Sequence, residues 1–252
     1  MKRFFSRLLG KVYTICAVRR WQRTTPQGLS FLLQRHRGAD TLVVSFPGCT
    51  EPAHYNYVAT LRSQPCHRLF LLDNYAENGL GNYLMRPDVA QQVLSLIQDT
   101  VRELQVKRLF FVGSSKGASS ALFFGFQIPD VTLCIAAPQY FIGDYLWDGI
   151  VYRKNLADIL QEEPTVEGIQ SLNASLSNLV LHSSIRPRCI YLHYSDVEHT
   201  YAEHVQPLIQ DLRRAAVEYQ VDVAHYANHA DLRFFYPQYL SRILGRFLSL
   251  NA

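Results

Sequence analysis

An apolar run, Leu109-Phe110-Phe111-Val112, leads straight into Gly113-Ser114-Ser115-Lys116-Gly117, and a helix-like run from Ala118 to Phe126 follows. A strand that turns into a helix this abruptly needs small side chains two positions before and two after its apex, because the backbones crowd each other there. Centred on Ser115, those positions are Gly113 and Gly117; centred on Ser114, they are Val112 and Lys116, which are too bulky. The spacing predicts a tight turn with Ser115 at its apex. The Ser115 hydroxyl should stand above the strand end, the N–H of Lys116 should aim at the same point, and Ser114 should support the turn. A serine- and glycine-rich helix N-terminus can also bind phosphate, and the turn alone leaves both uses open.

The rest of the chain alternates between strand-like and helix-like runs. Leu29 to Gln34 and Thr41 to Phe46, joined by Arg37-Gly38-Ala39-Asp40, read as a hairpin opening a sheet. Arg68 to Leu72, Arg108 to Val112, Val131 to Ala136, Cys189 to Tyr194 and Val221 to Tyr226 read as further strands. Pro87-Asp88 marks a helix start with Asp88 as cap, and Val89, Val93, Ile97, Val101 and Leu104 recur on one face of that helix. Helices are also expected over 203–218 and 232–249, with Pro207 in the first turn of the former or bending it.

This alternation predicts an α/β fold, a mostly parallel sheet flanked by helices. Residues 26–252 are expected to form one domain, preceded by a basic extension over 1–25. From about 140 to 187 the alternation lapses, and Tyr140, Phe141, Tyr145, Trp147 and Tyr152 cluster there. An inserted lid is expected over that stretch. Its aromatics either pack the lid onto the body or present flat faces to a sugar, with Tyr140, Tyr145 and Trp147 as candidate substrate contacts.

Composition narrows the classes. The chain has 252 residues, of which 48% are apolar, enough for a sizeable core. The net charge of +4 suits an anionic partner without requiring one. The five cysteines, Cys16, Cys49, Cys66, Cys134 and Cys189, are widely spaced with no CxxC pair, so neither a zinc site nor a disulfide framework is expected, and a reducing cytoplasm is. No fingerprint for a nucleotide phosphate appears, and no nucleic-acid partner is expected. No run approaches the ~20 apolar residues that span a bilayer. Residues 1–23 nevertheless carry Lys2, Arg3, Arg7, Lys11, Arg19, Arg20 and Arg23 with no acidic residue, and Phe4, Phe5, Leu8, Leu9 and Val12 fall near helical spacing. That pattern fits either peripheral contact with anionic lipid or a solvated extension docked on the domain.

A serine hydroxyl becomes a nucleophile only with a base in hydrogen-bond reach and a carboxylate to orient that base. The chain supplies these in the order Ser115, Asp196, His229. Asp196 follows the Cys189–Tyr194 run and His229 the Val221–Tyr226 run, both just past strand C-termini, where open α/β sheets place their sites. Glu198 is an alternative acid and His199 an alternative base, whereas His193 and His225 lie inside strands. An oxyanion hole needs two backbone N–H donors. Lys116 supplies one. The other must come from Pro47-Gly48-Cys49-Thr50, where Pro47 has no N–H, leaving Gly48 or Cys49. The loop carrying Asp73 and Asn74 should lie on the same rim, as an acceptor contact or as a plain connection.

Phe46-Pro47-Gly48, Asp73-Asn74, Gly113-Ser114-Ser115-Lys116-Gly117, Ala137-Pro138-Gln139 with Ile142-Gly143-Asp144-Tyr145, Tyr194-Ser195-Asp196 and Asn228-His229 occur in one order. Together, over most of residues 28–250, they resemble the bacterial capsule-biosynthesis proteins of α/β-hydrolase fold, in particular the serine-type capsular polysaccharide O-acetyltransferases. The resemblance implies a cytoplasmic, metal-independent enzyme that takes acetyl from acetyl-CoA onto Ser115 and passes it to a hydroxyl of an anionic surface polysaccharide. His229 would be the base and Asp196 its orienting acid. The same triad would serve a carboxylesterase or polysaccharide deacetylase, and a hydrolase-like scaffold without catalysis is a third reading.

Overall fold

The structure, a computed structural model, describes the backbone of residues 2–249 and the side chains of 8–249. Eight strands, β1 (Gln22–Thr24), β2 (Ser30–Gln34), β3 (Thr41–Ser45), β4 (His67–Leu71), β5 (Arg108–Ser114), β6 (Val131–Ala136), β7 (Cys189–Ser195) and β8 (Tyr219–Ala224), form one sheet in the order β1-β2-β4-β3-β5-β6-β7-β8. The two pairings that involve β2 are antiparallel and all others are parallel. Among the described residues, eight α-helices cover it: α1 (Lys2–Trp21), α2 (Pro87–Leu104), α3 (Lys116–Gly125), α4 (Ile142–Asp148), α5 (Arg153–Leu160), α6 (Val166–His182), α7 (Gln206–Arg214) and α8 (Leu232–Ser249). One apolar cluster lies between the sheet and α2, α3, α6 and α7; a second lies under α1 and α8.

The expected hairpin between β2 and β3 is not formed. β2 pairs with β4, and β3 lies between β4 and β5. The reason is burial. Every residue of β3 is buried, and a strand of that kind is stable only with neighbours on both sides. Asp40 anchors its start beside β5, its carbonyl accepting from Lys107 and Arg108 N–H at 2.8 and 3.2 Å.

Helix α2 begins two residues earlier than Asp88 as cap would require. Pro87 occupies the first helical turn and Arg86 the cap position, because a proline φ is already helical. Asp88 instead complements the helix N-terminus from inside the first turn and accepts from Arg86 at 2.7 and 3.0 Å. In α7, Pro207 sits in the first turn, and the preceding Tyr201–Val205 segment is a π-turn.

The expected lid, 140–187, divides in two. Helix α6 buries Leu172, Leu176 and Val180 and packs on α3 and α7, so it is the ordinary crossover from β6 to β7. Only α4, a 3-10 turn at Ile150–Tyr152 and α5 form an insertion, which meets the loops at the strand C-termini. At the other end, β1 pairs with β2, so the basic N-terminal stretch contributes an edge strand as well as a helix.

Candidate active site

Ser115 stands between β5 and α3 at φ 53° and ψ −125°. For a non-glycine residue that is a strained conformation, costing on the order of 1–3 kcal/mol, and such residues cluster at functional sites. The flanking glycines permit it. A Cβ on Gly113 would meet Gly117 O at 2.1 Å, and one on Gly117 would meet Phe46 O at 2.5 Å. The Ser115 N–H donates to Ala136 O at 2.8 Å, tying the turn to β6. Ser114 supports the turn through a 2.6 Å hydrogen bond with the Tyr57 hydroxyl.

His229 opens a 3-10 turn ahead of α8 and brings Nε2 to 2.9 Å from Ser115 Oγ. Its Nδ1 is hydrogen-bonded to Glu198 Oε1. The Glu198 side chain is fully buried, and Thr200 Oγ1 donates to the same oxygen at 2.7 Å. Burial pushes the Glu198 carboxyl up, but its bonds with His229 and Thr200 outweigh this and hold it below the ordinary carboxylate value. A carboxylate can only accept, so the hydrogen-bond network assigns the imidazole proton to Nδ1 and leaves Nε2 to accept the serine proton.

Asp196, the expected acid, is placed elsewhere. Its Oδ1 lies 2.7 Å from Nδ1 of His225, and both side chains are substantially exposed. Strand alternation explains the difference. Ser195 ends β7 with its hydroxyl turned inward, donating to Tyr226 O at 2.7 Å. The next residue continues the ladder, its N–H bonded to Ala224 O at 3.2 Å, and so points to the opposite face. Two residues on, the chain has turned, and Glu198 reaches back. His199 is exposed. His193 is buried with Nδ1 2.7 Å from Asp222 Oδ2, a packing role.

A second side chain meets Ser115 Oγ that the residues alone did not single out. Gln139 Nε2 donates to Ser115 Oγ at 2.7 Å. Its Oε1 accepts from the Tyr83 hydroxyl at 3.0 Å, and its main chain is clamped by Ser119 Oγ at 2.8 and 2.9 Å. Burial holds Tyr83 far above its ordinary value, so it remains a donor. With one lone pair of Oγ taken by Gln139, the hydroxyl proton is directed to His229. The signal lay in the register: β6 runs parallel beside β5 with Ala136 opposite Ser114, so residues just past both strands must meet.

Of the expected oxyanion donors, Gly48 is engaged, its N–H bonded to Asn56 Oδ1 at 3.1 Å. Lys116 heads α3, where first-turn N–H groups have no partner within the helix, and Cys49 follows Gly48 on the facing loop. The Lys116 ammonium itself is buried against Asp73 Oδ2 and Leu80 O, both at 2.8 Å. That pairing overturns Asp73 as a substrate contact, since its carboxylate is fully buried and also accepts from Asn82 N–H at 3.0 Å. Asn74 is exposed beside it. Tyr140 is likewise withdrawn into the core, its hydroxyl donating to Asp211 at 2.9 Å. Trp147 stands outside the site with the Arg153 guanidinium 4.3 Å above its ring. Tyr145 does face the site. With Cys49, Tyr83, Lys116, Gln139 and Tyr152 it lines a cavity of about 10 Å³, the volume of one water-sized sphere. A cavity of about 300 Å³ lined by Arg108, Asp130 and Arg188 lies at the opposite ends of the strands. Among the described residues, no group of His, Cys, Asp and Glu is arranged to hold a metal ion.

No family model matches the chain, and no curated protein does. Solved structures do. A capsule O-acetyltransferase of Neisseria meningitidis serogroup A superposes with a TM-score of 0.73 at 19% identity, over 89% of this chain and 94% of that one. An alpha-beta serine hydrolase homologue from Coxiella burnetii gives 0.56 at 14%, over 91% and 96%. The fold is that of the α/β hydrolases. A Glycosylation Associate Protein complex from Streptococcus agalactiae also matches, with a TM-score of 0.72 at 14% identity, over 89% of this chain and 46% of that one. At these identities the likeness speaks to fold, and the chemistry rests on the geometry of Ser115, His229, Glu198 and Gln139.

Proposed function

We propose that this protein is a serine-dependent O-acetyltransferase that moves an acetyl group from acetyl-CoA to a hydroxyl of a bacterial surface polysaccharide. The observation that carries the reading is Ser115 Oγ at 2.9 Å from His229 Nε2, with Nδ1 of the same ring held by the buried Glu198. It is supported by the likeness to the Neisseria capsule O-acetyltransferase, one structure of which holds CoA. The net charge of +4 suits an anionic acceptor and the phosphates of CoA alike.

In the first half-reaction, Ser115 Oγ attacks the thioester carbonyl while His229 Nε2 takes the hydroxyl proton. The oxyanion meets the N–H groups of Lys116 and Cys49, each donor contributing about 3 kcal/mol. Collapse breaks the C–S bond, and the departing thiolate takes the proton from His229. In the second, a sugar hydroxyl gives its proton to His229 and attacks the acetyl-serine carbonyl. Collapse breaks the Ser115 ester bond, and the proton returns to Oγ. Glu198 keeps the imidazole in the competent tautomer and stabilises its charged form. The cavity between Tyr83, Tyr145 and Tyr152 takes the acetyl methyl. The reaction is assigned to the cytoplasm, where acetyl-CoA is supplied.

Brief exposure to acetyl-CoA followed by mass spectrometry of the Ser115 peptide tests this. Acetyl-serine should accumulate without acceptor and disappear when polysaccharide is added, with acetate ester appearing on the sugar. An esterase reading is favoured by the serine hydrolase among the structural neighbours. Release of CoA at one rate with or without polymer, and no sugar ester, decides for it. Absence of any Ser115 labelling by a fluorophosphonate decides for a non-catalytic scaffold.

A further inference from the structure

Helix α1 carries apolar side chains on the face turned away from the sheet as well as on the face that packs. Against the sheet it sets small residues: Gly10 and Ala17 are buried, and a Cβ on Gly10 would meet Ala59 Cβ at 3.3 Å. Tyr13, Val18 and Trp21 pack half-buried against the core, and four other apolar side chains face outward. Leu8 is 50% exposed, Leu9 63%, Val12 50% and Ile15 53%. At about 100° per residue, Leu8, Val12 and Ile15 form one stripe opposite Gly10 and Ala17. Exposed Lys11, Arg19 and Arg20 border that stripe. The face continues into a groove of about 960 Å³ toward the start of α8, lined by Lys11, Ile15, Arg62, Arg233 and Phe234. There the Arg233 guanidinium lies 4.7 Å from the half-exposed Phe234 ring.

An apolar stripe whose charged neighbours on the helix are all cations has two demands, apolar cover and negative charge. A second copy supplies the first and worsens the second, because residues 1–23 hold no carboxylate to offset seven lysines and arginines. An anionic bilayer surface supplies both: acyl chains take the aliphatic side chains, and headgroup phosphates take the cations. No helix among the described residues is long and apolar enough to cross a membrane, which places the contact in the interface. We propose that α1 lies on an anionic phospholipid surface with Leu8, Val12 and Ile15 toward the acyl chains and Lys11, Arg19 and Arg20 at the phosphates.

The test is cosedimentation of the full chain with vesicles of phosphatidylcholine alone and of phosphatidylcholine mixed with phosphatidylglycerol. Binding is expected to the mixed vesicles only, falling as salt rises. Leu8→Glu with Val12→Glu should weaken it by about tenfold or more, with the wild-type circular dichroism spectrum and unchanged turnover of p-nitrophenyl acetate. Should that variant misfold, Lys11→Gln with Arg19→Gln keeps the packing and should weaken binding about fivefold per charge removed. No binding to mixed vesicles, equal binding to neutral ones, or a concentration-dependent dimer that the Leu8 and Val12 changes abolish would each overturn the assignment.

Discussion

At Ser115 Oγ two neighbours divide the work: His229 accepts and Gln139 donates. Each role predicts a distinct loss. Glu198→Gln should lower kcat by ~10³–10⁴, because the imidazole loses its tautomer and its counter-charge. Asp196→Asn should stay within about twofold of wild type, since its partner is the exposed His225 and a surface ion pair contributes little. Equal losses in the two variants would return the acid role to Asp196. Gln139→Leu removes one hydrogen bond from the nucleophile; fluorophosphonate labelling should slow about tenfold, with KM for acetyl-CoA unchanged. A rise in KM with labelling intact would make Gln139 a substrate contact instead. Ser115 was legible in the sequence because the constraint on it is steric and local: only one register puts glycines at both crowded positions. The choice between Asp196 and Glu198 was not, because it depends on where β7 stops alternating.

The elements hold that geometry through contacts at single atoms. In the turn from β5 to α3, Gly117 passes so close to the β3 loop that Gly117→Ala forces Phe46 away from it. Overpacking of this kind typically costs 1–3 kcal/mol, so thermal denaturation should show Tm lower by about 2–4 °C per kcal/mol. An unchanged Tm would mean that the loop yields freely. The α4–α5 insertion acts at the same scale by closing the small cavity with Tyr145 and Tyr152. Transfer rates should therefore fall steeply from acetyl-CoA to propionyl-CoA to butyryl-CoA, and Tyr152→Ala should flatten the series. A flat series in the wild type would remove the cavity from the acyl site. Most elements were legible from periodicity, α2 from its buried Val89, Val93 and Ile97 and the strands from their apolar runs. Pairing was not. β2 and β3 look like hairpin partners in sequence, but β3 pairs with two strands contributed from later in the chain.

The whole molecule carries a pH dependence through His204, which lies between α4, the end of β7 and α7. Burial, with His199 and His229 nearby, pushes its pKa down from 6.5 to about 4 against the pull of Asp144, and its Nδ1 accepts from Phe141 N–H at 3.3 Å. The unfolded chain binds this proton near pH 6.5 and the folded one only near pH 4. Stability from this group is therefore complete above about 6.5, is lost as pH falls through that window, and changes no further below it. Urea unfolding at pH 7 and pH 5 should show the loss, and His204→Phe should reduce it. An identical slope in the variant would assign the acid sensitivity to other groups.

The sequence by itself determined the α/β class, the tight turn that carries Ser115 between its two glycines, and the placing of His229 just past a strand end, because each follows from local sterics or from strand ends. Tertiary structure decided which carboxylate backs His229, that Gln139 meets Ser115, that Asp73 is spent on Lys116, and that α1 turns Leu8, Val12 and Ile15 outward. Those outcomes depend on which faces and ends residues far apart in the chain present to one another. One polymer pattern is compatible with several such arrangements until the packed sheet selects one.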